Sequence, residues 1–444
     1  MAIVLRPTGQ GKRAVLILAA AALAAGSLLR AAGGPPAEPQ PNVHSLSGRF
    51  PEKPSIAPSF SIPVEPLGFA APGQNFLGMR NTMVSLDFLG EDRLLFTFRV
   101  PGLMRREPGN TAEDQRQIRA VVLSLPTGTV QAKTDWTLHD RWRYLWTLDD
   151  DHFLLRDGNS ISEIDAALKP KPLFQFPGPL LSISMSPARQ YLVANSREPM
   201  KPAGKPADAT ADANAGDRPQ DDNATPDLVL RILRRESSQV MLVTRIRNPV
   251  ELPINDEGYL SPLRSSGMDW MIVLNFFTGE TRDLGKVKSA CAPELLFLSE
   301  NEALANTCSD SGNDSIVAMS TSGSTLWTDT SSDRLVGPLF ALSRNGLRFA
   351  RESLYVSHAI NAFAPLGAED IKGQWVRVFD AATGNVAFEA PATPILDGGG
   401  NMAISPSGRR IALLNAGSIQ VFDLPAPPAL PDSALPHSNL TPRP

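Results

Sequence analysis

The residues of this chain that could do chemistry are few and widely spaced. Three of its five histidines, His139, His152 and His358, lie outside the terminal segments, and no two of them have the spacing of metal ligands. The chain has no Gly-x-Ser-x-Gly nucleophile elbow, no glycine-rich phosphate-binding loop and no His-Glu-x-x-His pair. We therefore predict no catalytic residue, no metal site and no cofactor. A hydrolase site assembled from distant loops stays open as a catalytic interpretation.

Two cysteines, Cys291 and Cys308, are the only thiols of the chain. The sequence between them predicts a hairpin, in which the apolar run 293–298 passes through a polar turn at 299–302 into the segment 303–307. This hairpin brings the two cysteines close to opposite each other, where a disulfide can form. We predict a disulfide between them, with two free buried thiols as the alternative.

The first 30 residues have the pattern of an export signal. Basic residues up to Arg13 precede the uncharged run 14–29, which is shorter than the ~20 residues of a comfortable membrane span. The small residues Ala22 and Ala24 favour cleavage after Ala24, and an uncleaved N-terminal anchor is the alternative. We expect an exported protein, periplasmic or extracellular, that touches a membrane only through such an anchor. The formal net charge is -4, so the chain has no excess of basic residues. We therefore predict no nucleic-acid partner.

Recurring hairpins are the elements that must position any site. Residues 119–128, 270–279 and 375–384 share one sequence pattern. In each, an apolar run with β-branched residues ends in Thr-Gly and another strand-like run follows. Each predicts a strand, a tight turn with glycine in a left-handed conformation, and a second strand. A first type of hairpin, with a polar turn, occurs seven times, and a second hairpin follows each copy. Two hairpins per unit predict an all-β protein, a β-propeller of seven four-stranded blades.

The propeller is expected to cover residues 59–424. Its last unit ends after a third strand at Asp423, so we expect the N-terminal segment around 61–69 to supply the fourth strand. A Pro-rich linker at 31–58 and a Pro-rich tail at 425–444 flank the domain, and a low-complexity loop insertion lies at about 200–227. Such composition predicts disorder in the tail and no contribution of the insertion to the core.

Individual motifs resemble those of known propellers. Residues 378–384 and 405–412 are similar to repeats of WD-repeat-like and YVTN-type propellers of exported bacterial proteins, a resemblance that implies the fold. Asp380, Thr383 and Gly384 also resemble the repeat of quinoprotein dehydrogenases, in which a tryptophan docks the blades, although Phe388 stands at that position here. That partial resemblance implies no cofactor ligands.

Propeller geometry predicts which face binds. Connections between the second and third strands, and between blades, leave one face, which we call the long-loop face; the turns within hairpins leave the other, the turn face. The three long connections, at 100–116, 196–226 and 352–373, all belong to the long-loop face. Arginine and aromatic residues are enriched at binding hot spots. The candidate binding residues on or beside these loops are Arg99, Arg105, Arg106, Arg141, Trp142, Arg351, Tyr355, His358 and Asp397.

These features favour a non-enzymatic binding or assembly module of the cell envelope or extracellular space. Its partner would be a protein, or a small-molecule or glycan ligand, held on the long-loop face. The alternative is a quinoprotein-like or hydrolytic enzyme that uses the same face. A purely structural partner of a larger complex is a third possibility.

Overall fold

The computed structural model describes residues 42–46, 50–70, 83–100, 116–139, 143–198, 227–248, 250–308, 315–331, 335–358, 367–396 and 399–427. They form seven β-sheets arranged as the blades of a propeller, which confirms the predicted all-β fold and the blade number. The described residues contain two single-turn 3-10 helices, Glu65–Leu67 and Ala368–Asp370, and no α-helix. None of the helices in this part of the chain is long and apolar enough to cross a membrane.

The strands follow the chain from blade to blade. Two strands precede the first blade: β1 (Asn42–Leu46) and β2 (Phe60–Pro63). Blades 1 to 3 consist of β3 (Ser85–Phe88), β4 (Arg93–Arg99), β5 (Arg116–Ser124), β6 (Thr129–Leu138), β7 (Leu145–Thr147), β8 (His152–Asp157), β9 (Ser160–Asp165), β10 (Pro170–Gln175), β11 (Leu180–Met185), β12 (Tyr191–Glu198), β13 (Asp227–Arg234) and β14 (Gln239–Ile246). Blades 4 and 5 consist of β15 (Gly258–Ser266), β16 (Asp269–Phe276), β17 (Thr281–Lys288), β18 (Glu294–Phe297), β19 (Glu302–Asn306), β20 (Ser315–Ser320) and β21 (Ser324–Ser331). Blades 6 and 7 consist of β22 (Leu335–Leu342), β23 (Arg348–Val356), β24 (Ile371–Asp380), β25 (Val386–Ala392), β26 (Met402–Ile404), β27 (Arg410–Asn415) and β28 (Ser418–Asp423).

Blade 4 departs from the regular pattern at its innermost position. Three full strands are present, and the place of the first strand is taken by residues around Ile254, which form a single bridge with Tyr259. Pro253 precedes Ile254 and has no backbone N–H to donate to a neighbouring strand. The hairpin predicted at 252–260 is therefore reduced to this bridge and a turn.

The N-terminal segment closes the propeller, as predicted. Strand β2 pairs antiparallel with β28 and becomes the fourth strand of blade 7. It ends at Pro63, earlier than expected, because the next residues turn into the first 3-10 helix, which ends at Gly68 in a left-handed conformation. Before β2, the chain crosses the outer edges of blades 5 and 6: β1 pairs parallel with β21, and the Ser55 backbone N–H donates to the Glu389 carbonyl at 2.8 Å. We call the described residues 42–46 and 50–69 the N-terminal strap.

The core lies between the blades. Seven clusters of buried apolar side chains are present among the described residues, one for each pair of neighbouring blades. In six of the blades the second strand is packed on both sides, the exception being β15 of blade 4; β4, for example, is apolar without alternation and is buried at every position from Leu94 to Phe98. This double burial explains why the apolar runs of the sequence do not alternate.

Aromatic side chains dock neighbouring blades at the Thr-Gly turns. Trp327 of β21 is fully buried, and its indole Nε1–H donates to the Ala381 carbonyl in the turn of blade 6 at 2.6 Å. Phe388 of β25 packs on Phe422 of blade 7, with 4.8 Å between ring centroids. Trp327 follows Gly323 by four residues, the same offset that separates Phe388 from its turn glycine. The sequence reasoning examined this offset only at the three Thr-Gly copies and so missed Trp327.

Candidate functional site

Four of the predicted binding residues lie within the described part of the chain. Arg99 ends β4 on the long-loop face, and His358 follows β23 on the same face. Arg351 and Tyr355 belong to β23 itself. The other five predicted residues, Arg105, Arg106, Arg141, Trp142 and Asp397, lie outside the described residues.

Tyr355 is covered by the protein itself. Its ring stacks on Phe50 of the N-terminal strap, with 4.9 Å between centroids, and Trp375 meets Phe50 edge-on at 6.0 Å. Gly373 permits this close packing, since a β-carbon there would lie 2.5 Å from the Phe50 ring. The face of Tyr355 therefore anchors the strap. Sequence reasoning missed this contact because Phe50 lies about 300 residues away along the chain.

Arg351 lies inside the propeller instead of on its rim. It sits in the middle of β23 and is 1% exposed. Burial raises the pKa of the Glu294 carboxyl, and the positive charge of Arg351 is close enough to oppose this rise. Burial lowers the pKa of the neighbouring Arg377 to about 10, and repulsion from Arg351 adds to the effect. Both arginines thus belong to the packed interior of the propeller.

His358 is the predicted residue most accessible to a partner. Its side chain is 64% exposed, and its Nδ1 lies 3.8 Å from a carboxylate oxygen of Asp370. Asp370 is held at the end of the second 3-10 helix, where its carboxylate accepts the Gly367 backbone N–H at 3.1 Å. This pair marks the base of the long connection of blade 6.

A cavity of about 540 Å³ runs along the propeller axis. Its wall is formed mainly by the innermost strands of the blades, which run from the long-loop face towards the turn face. A volume of this size lies within the range of small-molecule sites. The charged residues of its wall are Asp87, Arg143, Arg156, Arg189, Glu251, Glu294, Arg344 and Glu352.

Acidic side chains gather in the half of the cavity near the long-loop face. Glu251 precedes the innermost segment of blade 4, and Glu294 begins β18. Burial raises the pKa of Glu294, and repulsion from Glu251 raises it further. Burial also raises the pKa of Glu352, which is 1% exposed, to about 8. These shifts favour protonated carboxyl groups that can donate hydrogen bonds.

Arginine side chains also line the cavity. Arg189 and Arg344 come from turns that follow β11 and β22 on the turn face, and the Nε of Arg143 donates to the Leu145 carbonyl at 3.1 Å. The carboxyl groups of Asp87 and Glu251 lie close enough to Arg143 to favour its charged form. The cavity wall therefore carries groups of both charges.

The turn face is braced across the blades. The Arg344 guanidinium of blade 6 donates to the carboxylate of Asp150 in blade 2 at 2.5 Å. Glu300 of blade 5 accepts the backbone N–H of Ala188 in blade 3 at 3.0 Å and that of Asp256 in blade 4 at 2.9 Å. The turns on this face are at most five residues long in the described structure, and the turn 186–190 is one of the longest. The turn face is therefore compact and rigid.

The long-loop face is fastened at blade 5 by the predicted disulfide. Cys291 and Cys308 are bonded, with 5.8 Å between their Cα atoms. They join the segment that enters β18 to the segment that leaves β19, and the Ala290 backbone N–H donates to the Cys308 carbonyl at 2.9 Å. The pairing confirms the hairpin on which the prediction rested.

Within the described residues, no three His, Cys, Asp or Glu side chains are grouped so that they could hold a metal ion. The carboxyl and guanidinium groups at the axis can bind through charge and hydrogen bonds. Sequence reasoning did not select Arg143, Arg189, Glu251 or Glu294, although a charged residue beside the first apolar residues of a blade was a visible signal.

Comparison with known proteins finds distant similarity to solved structures. No protein-family model and no curated protein matches the chain. Among solved structures, the C-terminal WD40 domain of Sif2 is similar, with 10% identity and a TM-score of 0.42, over 84% of this chain and 99% of that domain. The uncomplexed acylaminoacyl peptidase of Pyrococcus horikoshii is 10% identical with a TM-score of 0.45 over 79% of this chain.

The chain spans about half, 52%, of the length of that peptidase. TolB from Acinetobacter baumannii is 13% identical with a TM-score of 0.35, over 71% of this chain and 78% of that protein. The seven sheets themselves confirm the propeller fold that the expected resemblance implied. Such distant similarity carries no information about ligand or activity.

Proposed function

We propose that this chain is an exported, non-enzymatic binding module whose long-loop face holds a protein partner. The observation that carries the proposal is the difference between the two faces of the propeller. Turns of five residues or fewer and contacts between blades make the turn face rigid, whereas the three long connections leave the opposite face. On a rigid scaffold, binding residues concentrate in such loops.

The described part of the long-loop face offers polar and charged groups for a partner. His358 projects from the end of β23, and Arg99 ends β4. The disulfide and the contact between the strap and Tyr355 hold the strands beneath the loops in place. A rigid base reduces the entropy that a partner must overcome on binding.

Photo-cross-linking in the native host tests which face binds. A photo-reactive residue is placed at His358 on the long-loop face and, as the matched control, at Asp151 on the turn face; the two side chains are 64% and 61% exposed. The two positions therefore lie on opposite faces of the propeller but are almost equally accessible. We expect a discrete protein adduct from position 358 and none from position 151. Adducts from position 151 alone, or equally from both, would contradict the proposal.

The export part of the proposal rests on the first 30 residues. Mass spectrometry of protein purified from the native host should find a chain that starts near Ala25 in the exported fraction. Intact Met1 in the membrane fraction would instead identify the segment as an anchor. Intact Met1 in the cytoplasm would overturn export.

A further inference from the structure

One arginine of the axial cavity occupies a left-handed turn position that holds glycine in the equivalent inner turns of two other blades. The inner turns of blades 3, 6 and 7 each begin at a serine, Ser186, Ser343 or Ser405, and the residue three places later donates its N–H to that serine's carbonyl at 2.9 to 3.0 Å. In blades 6 and 7 this residue is Gly346 or Gly408, with φ of 71° or 68°.

In blade 3 the same position holds Arg189, with φ of 62°. A left-handed conformation costs a residue that has a β-carbon about 1 kcal/mol or more, and glycine avoids this cost. The turn itself therefore does not require an arginine, and glycine would fit it with less strain.

The side chain of Arg189 faces the cavity without an acidic partner among the described residues. Arg143 has the nearby carboxyl groups of Asp87 and Glu251, and Arg344 binds Asp150. Arg189 makes only a long contact from Nη1 to the Ser186 carbonyl, at 3.4 Å, and its Nε is buried without a hydrogen-bond partner. A buried N–H without an acceptor is unfavourable for folding.

The charges around Arg189 indicate what would stabilise it. Burial lowers its pKa to about 10, and repulsion from Arg143 and Arg344 adds to the effect. A bound anion would remove both the missing hydrogen bonds and the repulsion. Guanidinium groups bind the oxygen atoms of carboxylates and phosphates in pairs, which suits several arginines around one such group.

We propose that the axial cavity binds a small ligand through one oxyanion, a carboxylate or phosphate group, held by Arg189 with Arg143 and Arg344. The cavity of about 540 Å³ leaves room for an organic portion beyond the anionic group. This site does not depend on the protein partner proposed above.

The structure offers a variant that separates binding from folding. Arg189→Gly restores the residue found in blades 6 and 7, so the variant should unfold at a midpoint no lower than that of the unchanged protein. Arg409→Gln, at an exposed arginine outside the cavity, is the matched control. Inorganic phosphate and acetate are the probes, measured by calorimetry on the full chain at constant ionic strength set with chloride.

We expect at least one probe to bind the unchanged protein and the Arg409→Gln variant alike, and affinity to fall at least tenfold in Arg189→Gly. Tighter binding of phosphate would identify a phosphate-bearing ligand, and tighter binding of acetate a carboxylate. Arg344→Gln should also weaken binding. Equal affinity of Arg189→Gly and the unchanged protein, or no binding of either probe beyond that of chloride, would overturn the proposal.

Discussion

The glycines of the three Thr-Gly turns allow a sharp test of how the blades dock. All three have the left-handed conformation predicted from the sequence, with φ of 70° at Gly128, 92° at Gly279 and 73° at Gly384. Their surroundings differ. A β-carbon at Gly384 would lie 2.6 Å from the Trp327 ring, whereas at Gly279 it would meet nothing within 4 Å. The same substitution therefore separates backbone strain from collision between blades.

We predict that Gly279→Ala lowers the free energy of unfolding by about 1 kcal/mol, the cost of a left-handed alanine. Gly384→Ala carries the same strain and adds an overpacking term of about 1–3 kcal/mol. Trp327 cannot easily move away, because it is fully buried and its indole Nε1–H is bonded to the Ala381 carbonyl. The expected total for Gly384→Ala is about 2–4 kcal/mol.

Gly128→Ala should fall between the two. Its β-carbon would lie 2.7 Å from the Ile62 side chain, and Ile62 belongs to the four-residue strand β2, which can shift more easily than Trp327. Urea unfolding of the full chain, followed by circular dichroism and tryptophan fluorescence, measures the three differences. Equal destabilisation by Gly279→Ala and Gly384→Ala would refute the docking role of Trp327.

Three further predictions follow from the contacts described above. Reduction of the Cys291–Cys308 disulfide should lower the free energy of unfolding by about 3 kcal/mol, and thiol titration of unfolded, unreduced protein from the native host should find no free thiol. Glu352→Gln should be more stable than the unchanged protein at pH 8 and lose this advantage towards pH 4.5. Burial raises the pKa of Glu352 from 4.5 to about 8, so the native state keeps its proton to higher pH than the unfolded state does. Stability therefore falls as the pH rises through this range, by at most about 1.4 kcal/mol per pH unit. A constant difference between the two proteins across this range would contradict the assignment. Phe50→Ala removes the ring that covers Tyr355, and we expect the free energy of unfolding to fall by about 2 kcal/mol, less than for a fully buried phenylalanine. Proteolysis of the strap should become faster. Unchanged proteolysis would show that Phe50 does not hold the strap.

Local sequence signals predicted the fold because a hairpin is encoded by adjacent residues. The Thr-Gly turns, the polar turns and the disulfide hairpin all depend on residues within about 20 positions of each other. The last unit ends after its third strand, at Asp423, and this predicted that the N-terminal segment supplies the fourth strand, as β2 does. Counting hairpins did not predict that the inner strand of blade 4 is reduced to a single bridge, where Pro253 lacks a backbone N–H.

The site was harder to predict because ring closure brings distant residues together. Arg189 and Arg344 line one cavity although 154 positions of the chain separate them, and no local pattern connects them. Tyr355 was expected to face a ligand, and Phe50 covers it from the other end of the chain. One signal was nevertheless visible: Arg189 stands where Gly346 and Gly408 stand in related turns. Comparison of equivalent turns within one repeat protein can therefore locate residues that the fold does not require.

Hydrogen exchange tests the central claim, binding through the long-loop face, most directly. Amide exchange is compared between the free full chain and the chain bound to the protein with which it is purified from the native host. We predict slower exchange in the complex at the ends of β4 and β23, near Arg99 and His358, and no change in the turns 89–92, 148–151 and 343–347. Protection confined to those turns would contradict the account.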